Sequence, residues 1–267
     1  MNSPGPASPA DQVIIRKCSD IDEFNACVAL QKEVWKFDDI DVIPQRMFTV
    51  ADKIGGQVIG SFVGGEKAAK LVGFALAIPG NRNGRLYLHS HMLAVSEDYR
   101  NSGLGRRMKL AQRDDALARG FELIEWTFDP LEIKNAYLNI DRLGAIARRY
   151  NINQYGFSSS PLQGGLPTDR LVAEWWLKSK RVEAKMTTGQ APPFTTAVAI
   201  GVPAEIYTWK ASPPDREHAK RVQLQNREAF LAAFDRDLSV LGYERDEKGN
   251  GNFLLGQWDE SWSYASK

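Results

Sequence analysis

A glycine-containing loop between an apolar strand end and a basic helix constrains this chain more than any other segment. Residues 93–95 read Leu-Ala-Val, a four-residue polar turn follows, and residues 100–105 read Arg-Asn-Ser-Gly-Leu-Gly. Glycine has no Cβ, so the backbone can approach a ligand closely there. The helix that follows would present N–H groups without intrahelical partners and a partial positive charge. These features predict a phosphate or diphosphate site, and a tight turn without a ligand is the alternative.

Spacing separates this loop from two common phosphate-binding loops. A P-loop needs a Lys-Ser/Thr pair after its last glycine, whereas Gly105 is followed by two arginines. A dinucleotide fingerprint needs a third glycine where this chain has Met108. The remaining pattern, Arg-x-x-Gly-x-Gly after a strand, resembles the signature of the GNAT superfamily of acyl-CoA-dependent N-acyltransferases. The resemblance implies acetyl-CoA or another acyl-CoA as co-substrate.

The same resemblance implies which residues contact coenzyme A. In the family the loop cradles the diphosphate, and the preceding strand splays from its neighbour to pair with the pantetheine arm. One asparagine of the helix after the fifth strand is a further candidate, with a solvated side chain as the alternative. The implied contacts are Leu93, Val95, Arg100, Asn101, Ser102, Gly103, Leu104, Gly105, Arg106 and Asn139.

The order of elements extends the resemblance over about residues 12–180. Apolar periodicity and turn signals predict a strand, a helix, a helical turn, three strands, the loop, a helix, a strand, a helix and a strand. A hairpin through Gly64–Lys70 joins two of these strands, and Pro79–Gly84 reads as a second turn. The implied fold is α+β, an α/β/α sandwich with a GNAT-like mixed sheet and splayed central parallel strands.

The chain divides by composition into three parts. Residues 1–10 are rich in Pro, Ser and Gly and predict a disordered tail. Residues 11–185 form the predicted acyltransferase domain, and a polar segment at 185–193 reads as a linker. Residues 186–267 form a small α+β extension, as in a predicted bacterial branch of GNAT proteins. We expect it to pack on the core, cover part of the acceptor site or mediate contacts in a homodimer.

Two histidines on the strand before the loop are the candidates for proton abstraction. Period-two alternation places His89, His91 and Leu93 on one face of the sheet. Histidine titrates near neutral pH, which suits a base that deprotonates an ammonium nucleophile. Several GNAT enzymes carry a glutamate at the position of His89. Glu125 and Asp129 are the carboxylate alternatives, with Glu174 as a weaker one, and hydrogen-bonded packing is the alternative role for the histidines.

The usual proton donor of the family is missing. The tyrosine that in many members protonates the departing thiolate corresponds to Ile140. Tyr150 and Tyr155 follow the same helix and are the candidate substitutes, although aromatic residues serve more often in packing. A metal site on the histidine pair would lack a third ligand nearby, so we expect none.

Composition excludes several other classes of protein. The chain of 267 residues is 43% hydrophobic and 25% charged, which is typical of a globular protein. Its net charge of +1 lacks the basic excess that is typical of nucleic-acid-binding proteins. No apolar run approaches the ~20 residues that a membrane-spanning helix needs. Cys18 and Cys27 lack metal or disulfide spacing, which favours a reducing cytoplasm.

The sequence therefore predicts an enzyme that moves an acetyl or short acyl group to an amine of a small molecule. The amine would attack directly in a ternary complex. A non-catalytic acyl-CoA sensor and an interaction protein on the same scaffold are the alternatives, and Ile140 favours the sensor.

Overall fold

The computed structural model describes residues 13–64 and 69–260, which fall into two compact units. Unit one comprises the chain up to residue 82 together with 86–121, and unit two comprises 83–85 and the chain from 122. The predicted tail at 1–10 lies outside the described residues. So does most of the predicted hairpin turn, at 65–68.

The described residues of unit one form four strands and three α-helices. Its strands are hydrogen-bonded in chain order, and the first two pairs are antiparallel. The elements are β1 (Ile14–Lys17), α1 (Ile21–Trp35), α2 (Gln45–Lys53), β2 (Gln57–Val63), β3 (Lys70–Arg82), β4 (Arg85–Val95) and α3 (Leu104–Ala118).

The turn between β3 and β4 is shorter than the sequence predicts. Strand β3 continues through Pro79 to Arg82, so the predicted turn at Pro79–Gly84 is wrong in its first four residues. Only Asn83 and Gly84 adopt positive φ, at 51° and 78°. An Asn-Gly pair with two positive φ angles forms the two-residue hairpin turn that matches strand twist.

The end of β4 contributes to two core clusters. Met92 and Ala94 join a cluster formed with α1 and α2. Leu93 and Val95 pack against a second cluster that contains α3. Because successive residues of a strand point to opposite faces, both faces of the strand end are covered by helices. This burial of apolar area holds the start of the loop in place.

Unit two contains six strands and four α-helices, with a π-helical turn at Tyr137–Arg142 directly after α4. Its strands are hydrogen-bonded in the order β5-β7-β6-β9-β10-β8. The elements are β5 (Leu123–Phe128), α4 (Ile133–Ala136), β6 (Ile146–Asn151), β7 (Arg170–Trp176), α5 (Lys180–Thr188), β8 (Val198–Val202), α6 (Ile206–Ala211), α7 (Arg216–Phe234), β9 (Leu238–Arg245) and β10 (Gly251–Gln257).

The C-terminal segment shares a sheet and a core with residues 122–185. Strand β9 pairs with β6 in antiparallel fashion, with Ala147 opposite Val240. The ring of Tyr150 in β6 stacks on Phe230 of α7 at a centroid distance of 5.7 Å. The compact units therefore do not divide at 185, and a separate extension at 186–267 stays a prediction.

Three sequence expectations differ from these elements. The predicted linker begins inside α5, whose cap Ser179 accepts a hydrogen bond from Val182 N–H at 3.2 Å. The helix predicted for 132–143 is α4 followed by the π-helical turn. Strand β6 was not predicted, because two arginines interrupt its apolar pattern. The α+β fold class is confirmed. In the described part of the chain, no helix is long and apolar enough to cross a membrane.

Candidate cofactor and active site

The loop between β4 and α3 contains two left-handed residues. Asn101 has φ 59° and Gly103 has φ 82°. Gly103 is the N-cap of α3, and without a side chain it cannot cap the helix itself. Left-handed residues in such loops are typical of the backbone concavities that bind anions.

The backbone amides at the start of α3 are available to a ligand. The first bond of the helix runs from Arg107 N–H to Gly103 O at 3.1 Å, so the three preceding amides take no part in its ladder. A Cβ built on Gly103 would have no neighbour within 4 Å, and one on Gly105 would meet only Leu93 Cδ2 at 3.9 Å. The loop is therefore an open cradle at the positive end of a helix, which fits a diphosphate.

Side chains fix this cradle and add a cation to it. Arg100 Nε donates to Val95 O at 3.2 Å, and Ser102 Oγ donates to Tyr99 O at 2.6 Å. Arg106 Nε is buried and has no hydrogen-bond partner among the described residues.

His89 and His91 lie side by side on β4. Their ring centroids are 6.1 Å apart, with an interplanar angle of 36°. Desolvation, and then the neighbouring His89, lower the pKa of His91 below its usual value of 6.5. A larger fraction of His91 is therefore neutral at pH 7 than in an ordinary histidine, which leaves it able to accept a proton.

The predicted common face of His89, His91 and Leu93 is wrong. Ser90 accepts a hydrogen bond from a lysine of α3, and Leu93 also packs on the α3 side. Met92, two residues after Ser90, lies on the side of α1 and α2. Strict alternation would place Ser90 and Met92 together, so the alternation changes phase between them, as at a β-bulge. His89 points opposite to Ser90, toward the face that α1 and α2 cover.

Glu125 takes part in a buried ionic cluster within unit two. It lies opposite Glu174 in the β5–β7 pair, and the two residues are 3% and 1% exposed. Arg149 binds Glu125 Oε2 at 2.7 Å and Glu174 Oε1 at 3.3 Å, and Arg148 binds Glu174 Oε2 at 2.5 Å. A catalytic role for Glu125 would require breaking a buried ion pair, so the structure disfavours that prediction.

The two candidate tyrosines differ in their surroundings. The Tyr150 hydroxyl donates to Asp169 Oδ2 at 2.7 Å, and burial raises the pKa of Tyr150. Both effects make it a poorer proton donor. Tyr155 is exposed, and its hydroxyl lies 2.9 Å from Thr127 Oγ1. The role of either tyrosine as an acid stays a prediction, and Tyr155 is the more accessible.

The π-helical turn carries the remaining candidates. Ile140, at the position of the family tyrosine, is fully buried in the core. Asn139 is 4% exposed, and its carbonyl accepts a hydrogen bond from Ala145 N–H at 3.0 Å. Its contact with coenzyme A stays a prediction. Across residues 13–64 and 69–260, no group of three or more His, Cys, Asp or Glu residues is placed to hold a metal ion. Cys18 and Cys27 are free thiols in the core.

Residues 24–136 match the profile of the acetyltransferase (GNAT) family. The chain carries a GNAT acetyltransferase domain. The resemblance on which the sequence interpretation depends is thereby confirmed, and this family uses acetyl-CoA and acts on amine acceptors. The matched region includes both histidines, the whole loop and α3.

Solved structures of acetyltransferases resemble the GNAT domain at low identity. The ribosomal-protein-S18-alanine N-acetyltransferase of Escherichia coli is 14% identical with a TM-score of 0.49, covering 62% of this chain and 95% of its own. A putative acetyltransferase of Acinetobacter baylyi is 15% identical with a TM-score of 0.49, covering 63% and 93%. An N-acetyltransferase of Staphylococcus aureus is 14% identical with a TM-score of 0.47, covering 62% and 99%. These values carry no information on the substrate. No curated protein matches the sequence.

Proposed function

We propose that this GNAT domain binds acetyl-CoA or another short acyl-CoA at the loop 100–106 and transfers the acyl group to an amine of a small molecule. One observation supports this above the others. The loop is open, left-handed at Asn101 and Gly103, and followed by helix amides that take no part in the helix ladder. This donor set has the charge and geometry that a diphosphate requires.

Different residues of the chain bind different parts of the acyl-CoA. The backbone of residues 101–106 holds the diphosphate, and Arg106 contributes the cation. Leu93 and Val95, at the end of β4, contact the pantetheine arm. The bound acyl-CoA would supply an activated thioester carbonyl. Attack of the amine on that carbon in a ternary complex forms the amide bond, and the carbon–sulfur bond breaks to release coenzyme A as its thiolate.

The histidine pair removes the proton from the amine. We assign His89 as the base, directly or through water, with His91 beside it. General-base catalysis of this kind typically contributes about 10²–10⁴-fold in rate.

A non-catalytic acyl-CoA sensor is the second candidate. Ile140 favours it, because that residue is packed in the core where many family members place their proton donor. The hydrogen bond of Tyr150 to Asp169 favours it further. An interaction protein on the GNAT scaffold, with no cofactor in the loop, is the third.

Two glycines at opposite ends of α3 provide a matched test of the loop. Gly103 and Gly120 have φ of 82° and 81°, and neither has an atom within 4 Å of an added Cβ. Substitution by glutamate therefore imposes the same backbone strain at both, but only G103E places a carboxylate in the cradle. In calorimetric titration with coenzyme A, we expect G103E to weaken binding at least ~100-fold. G120E should bind as the unmodified protein does.

Two results would contradict the assignment of the loop. Absence of binding by the unmodified chain would remove both cofactor hypotheses and leave the interaction protein. Equal binding by G103E and G120E would place coenzyme A elsewhere.

Thiol release from acetyl-CoA across a panel of amines separates an enzyme from a sensor. We expect H89Q to lose at least ~100-fold in turnover while keeping its affinity for coenzyme A. H218Q provides the control, because His218 of α7 has no role in the proposed mechanism and packs against Trp209 with ring centroids 5.5 Å apart. Unchanged turnover in H89Q would remove His89 from the mechanism, and release with no amine in the panel would favour the sensor.

A further inference from the structure

Lys109, on the helix that follows the proposed cofactor loop, is buried against β4. It is 2% exposed, and its Nζ donates to Ser90 Oγ at 2.8 Å. Ser90 is 4% exposed and donates in turn to Gln112 Oε1 of α3 at 3.1 Å. Ser90 stands between His89 and His91 in sequence. The lysine therefore connects α3 to the strand segment that carries both histidines.

The hydrogen bonds continue from α3 to β2 and β1. Gln57 Nε2 donates to Gln112 O and to Asp115 Oδ2, both at 2.8 Å. Asp115 also pairs with Lys17 Nζ at 2.7 Å. Gln57 Oε1 and Gln112 Nε2 are buried and have no partner in the part of the chain that the structure describes. An apolar filling of the same space would avoid the desolvation of these groups, so this polar chain is not explained by stability.

Apolar and polar contacts constrain α3 differently. Leu104 and Met108 hold the helix to the sheet through burial, which is favourable over a range of positions because it has no direction. A hydrogen bond is favourable only near one distance and angle. The bond from Lys109 to Ser90 therefore fixes the position of α3 along β4, five residues after the helix begins at Leu104.

We propose that Lys109 is a positioning residue that braces α3, and with it the loop 100–106, against the β4 segment carrying His89 and His91. Its importance for catalysis rests on the proposed function, because the loop and the histidines are the two halves of that site. The bond itself lies within unit one and can be tested without a substrate.

Hydrogen exchange of the whole chain, followed by mass spectrometry, tests the brace directly. We expect K109M and S90A to speed exchange of residues 89–92 and of the hydrogen-bonded helix amides at 107–112 about tenfold. S90T keeps the hydroxyl, so its exchange rates should stay within twofold of those of the unmodified chain. The affinity for coenzyme A should fall about fivefold in K109M and S90A and stay unchanged in S90T.

Gln31 of α1 provides the matched control. It is fully buried and exchanges two hydrogen bonds with the backbone of Ile43, at 3.0 and 2.9 Å, away from α3. We expect Q31M to destabilise unit one without changing exchange at 107–112 relative to the rest of the unit. This variant separates a local brace from general loosening of the fold.

The outcomes distinguish this inference from the proposed function. The brace is overturned if S90A and K109M keep exchange and affinity within twofold of the unmodified chain, or if Q31M reproduces their pattern. If K109M does not fold, the comparison of S90A with S90T still tests whether the bond from Lys109 to Ser90 positions α3. If the unmodified chain does not bind coenzyme A, the proposed function fails, and exchange alone decides whether Lys109 positions the loop.

Discussion

Two buried lysines, one in each unit, have opposite surroundings. Lys210 in α6 is 5% exposed, and its Nζ lies 3.0 Å from Asp129 Oδ2 and 2.9 Å from Glu132 Oε1. Burial alone would lower its pKa, but the two carboxylates outweigh burial and raise the pKa to about 12. Lys109 contacts the hydroxyl of Ser90, and burial lowers its pKa to about 7. The comparison shows one buried lysine whose pKa neighbouring carboxylates raise and one whose pKa burial lowers.

Replacement of each lysine by methionine should give the largest difference in unfolding free energy between the two sites. K210M leaves Asp129 buried without its cation, so we expect it to lose about 3–5 kcal/mol of unfolding free energy. Burial lowers the pKa of Lys109 to about 7, and removal of its amine also removes the cost of burying that charge, so we expect K109M to lose less unfolding free energy than K210M. Urea unfolding of both variants measures the difference.

A variant that also neutralises the carboxylate partners of Lys210 makes the same experiment more decisive. Neutralising the partners as well, in K210M/D129N/E132Q, should recover much of the stability that K210M loses, because no charge is then left buried. A loss in K109M as large as that in K210M would show that both lysines are structural ion pairs, contrary to the contrast drawn from the geometry.

The pH dependence of stability provides a second, smaller contrast. Lys109 has a pKa of about 7 in the folded chain and an ordinary value of 10.5 when unfolded. Between these values the unfolded state binds a proton that the folded state does not, so the unfolding free energy rises with pH. We expect the unmodified chain to gain about 1.4 kcal/mol per pH unit relative to K109M from pH 7 upward. Below about pH 7 the difference should be flat.

Chemical denaturation of the two proteins at a series of pH values from 6 to 9 measures this difference. Subtraction of the K109M curve removes the groups that titrate in both. Parallel curves would mean that Lys109 remains charged throughout this range and that its burial is compensated.

The cofactor loop was predictable because its information is local. Arg100, Gly103 and Gly105 lie within six residues, and the left-handed turn and the helix start follow from those residue types. The strands and helices on either side carry regular apolar periods, which the sequence displays directly. The loop and most of unit one were therefore predicted with nearly correct bounds.

The missed features depend on contacts between distant residues. Strand β6 contains Arg148 and Arg149, which read as a solvated segment until they meet Glu125 and Glu174 from other strands. Lys109 reads as the polar face of a helix, and only Ser90, nineteen residues earlier, shows that it points inward. The change of alternation in β4 is a backbone irregularity that no residue type in the sequence indicates. For this reason the histidines were predicted on the same face of the sheet as Leu93.

The histidine pair gives the smallest predicted effect, and it extends the comparison of charges to the proposed site. Desolvation is the main cause of the lowered pKa of His91, and the neighbouring His89 is the second. We therefore expect H89Q to raise the pKa of His91 only in part, leaving it below 6.5. Titration of the His91 ring resonances by NMR measures this. A return to 6.5 would show that the neighbouring His89, and not desolvation, is the main cause of the lowered pKa of His91.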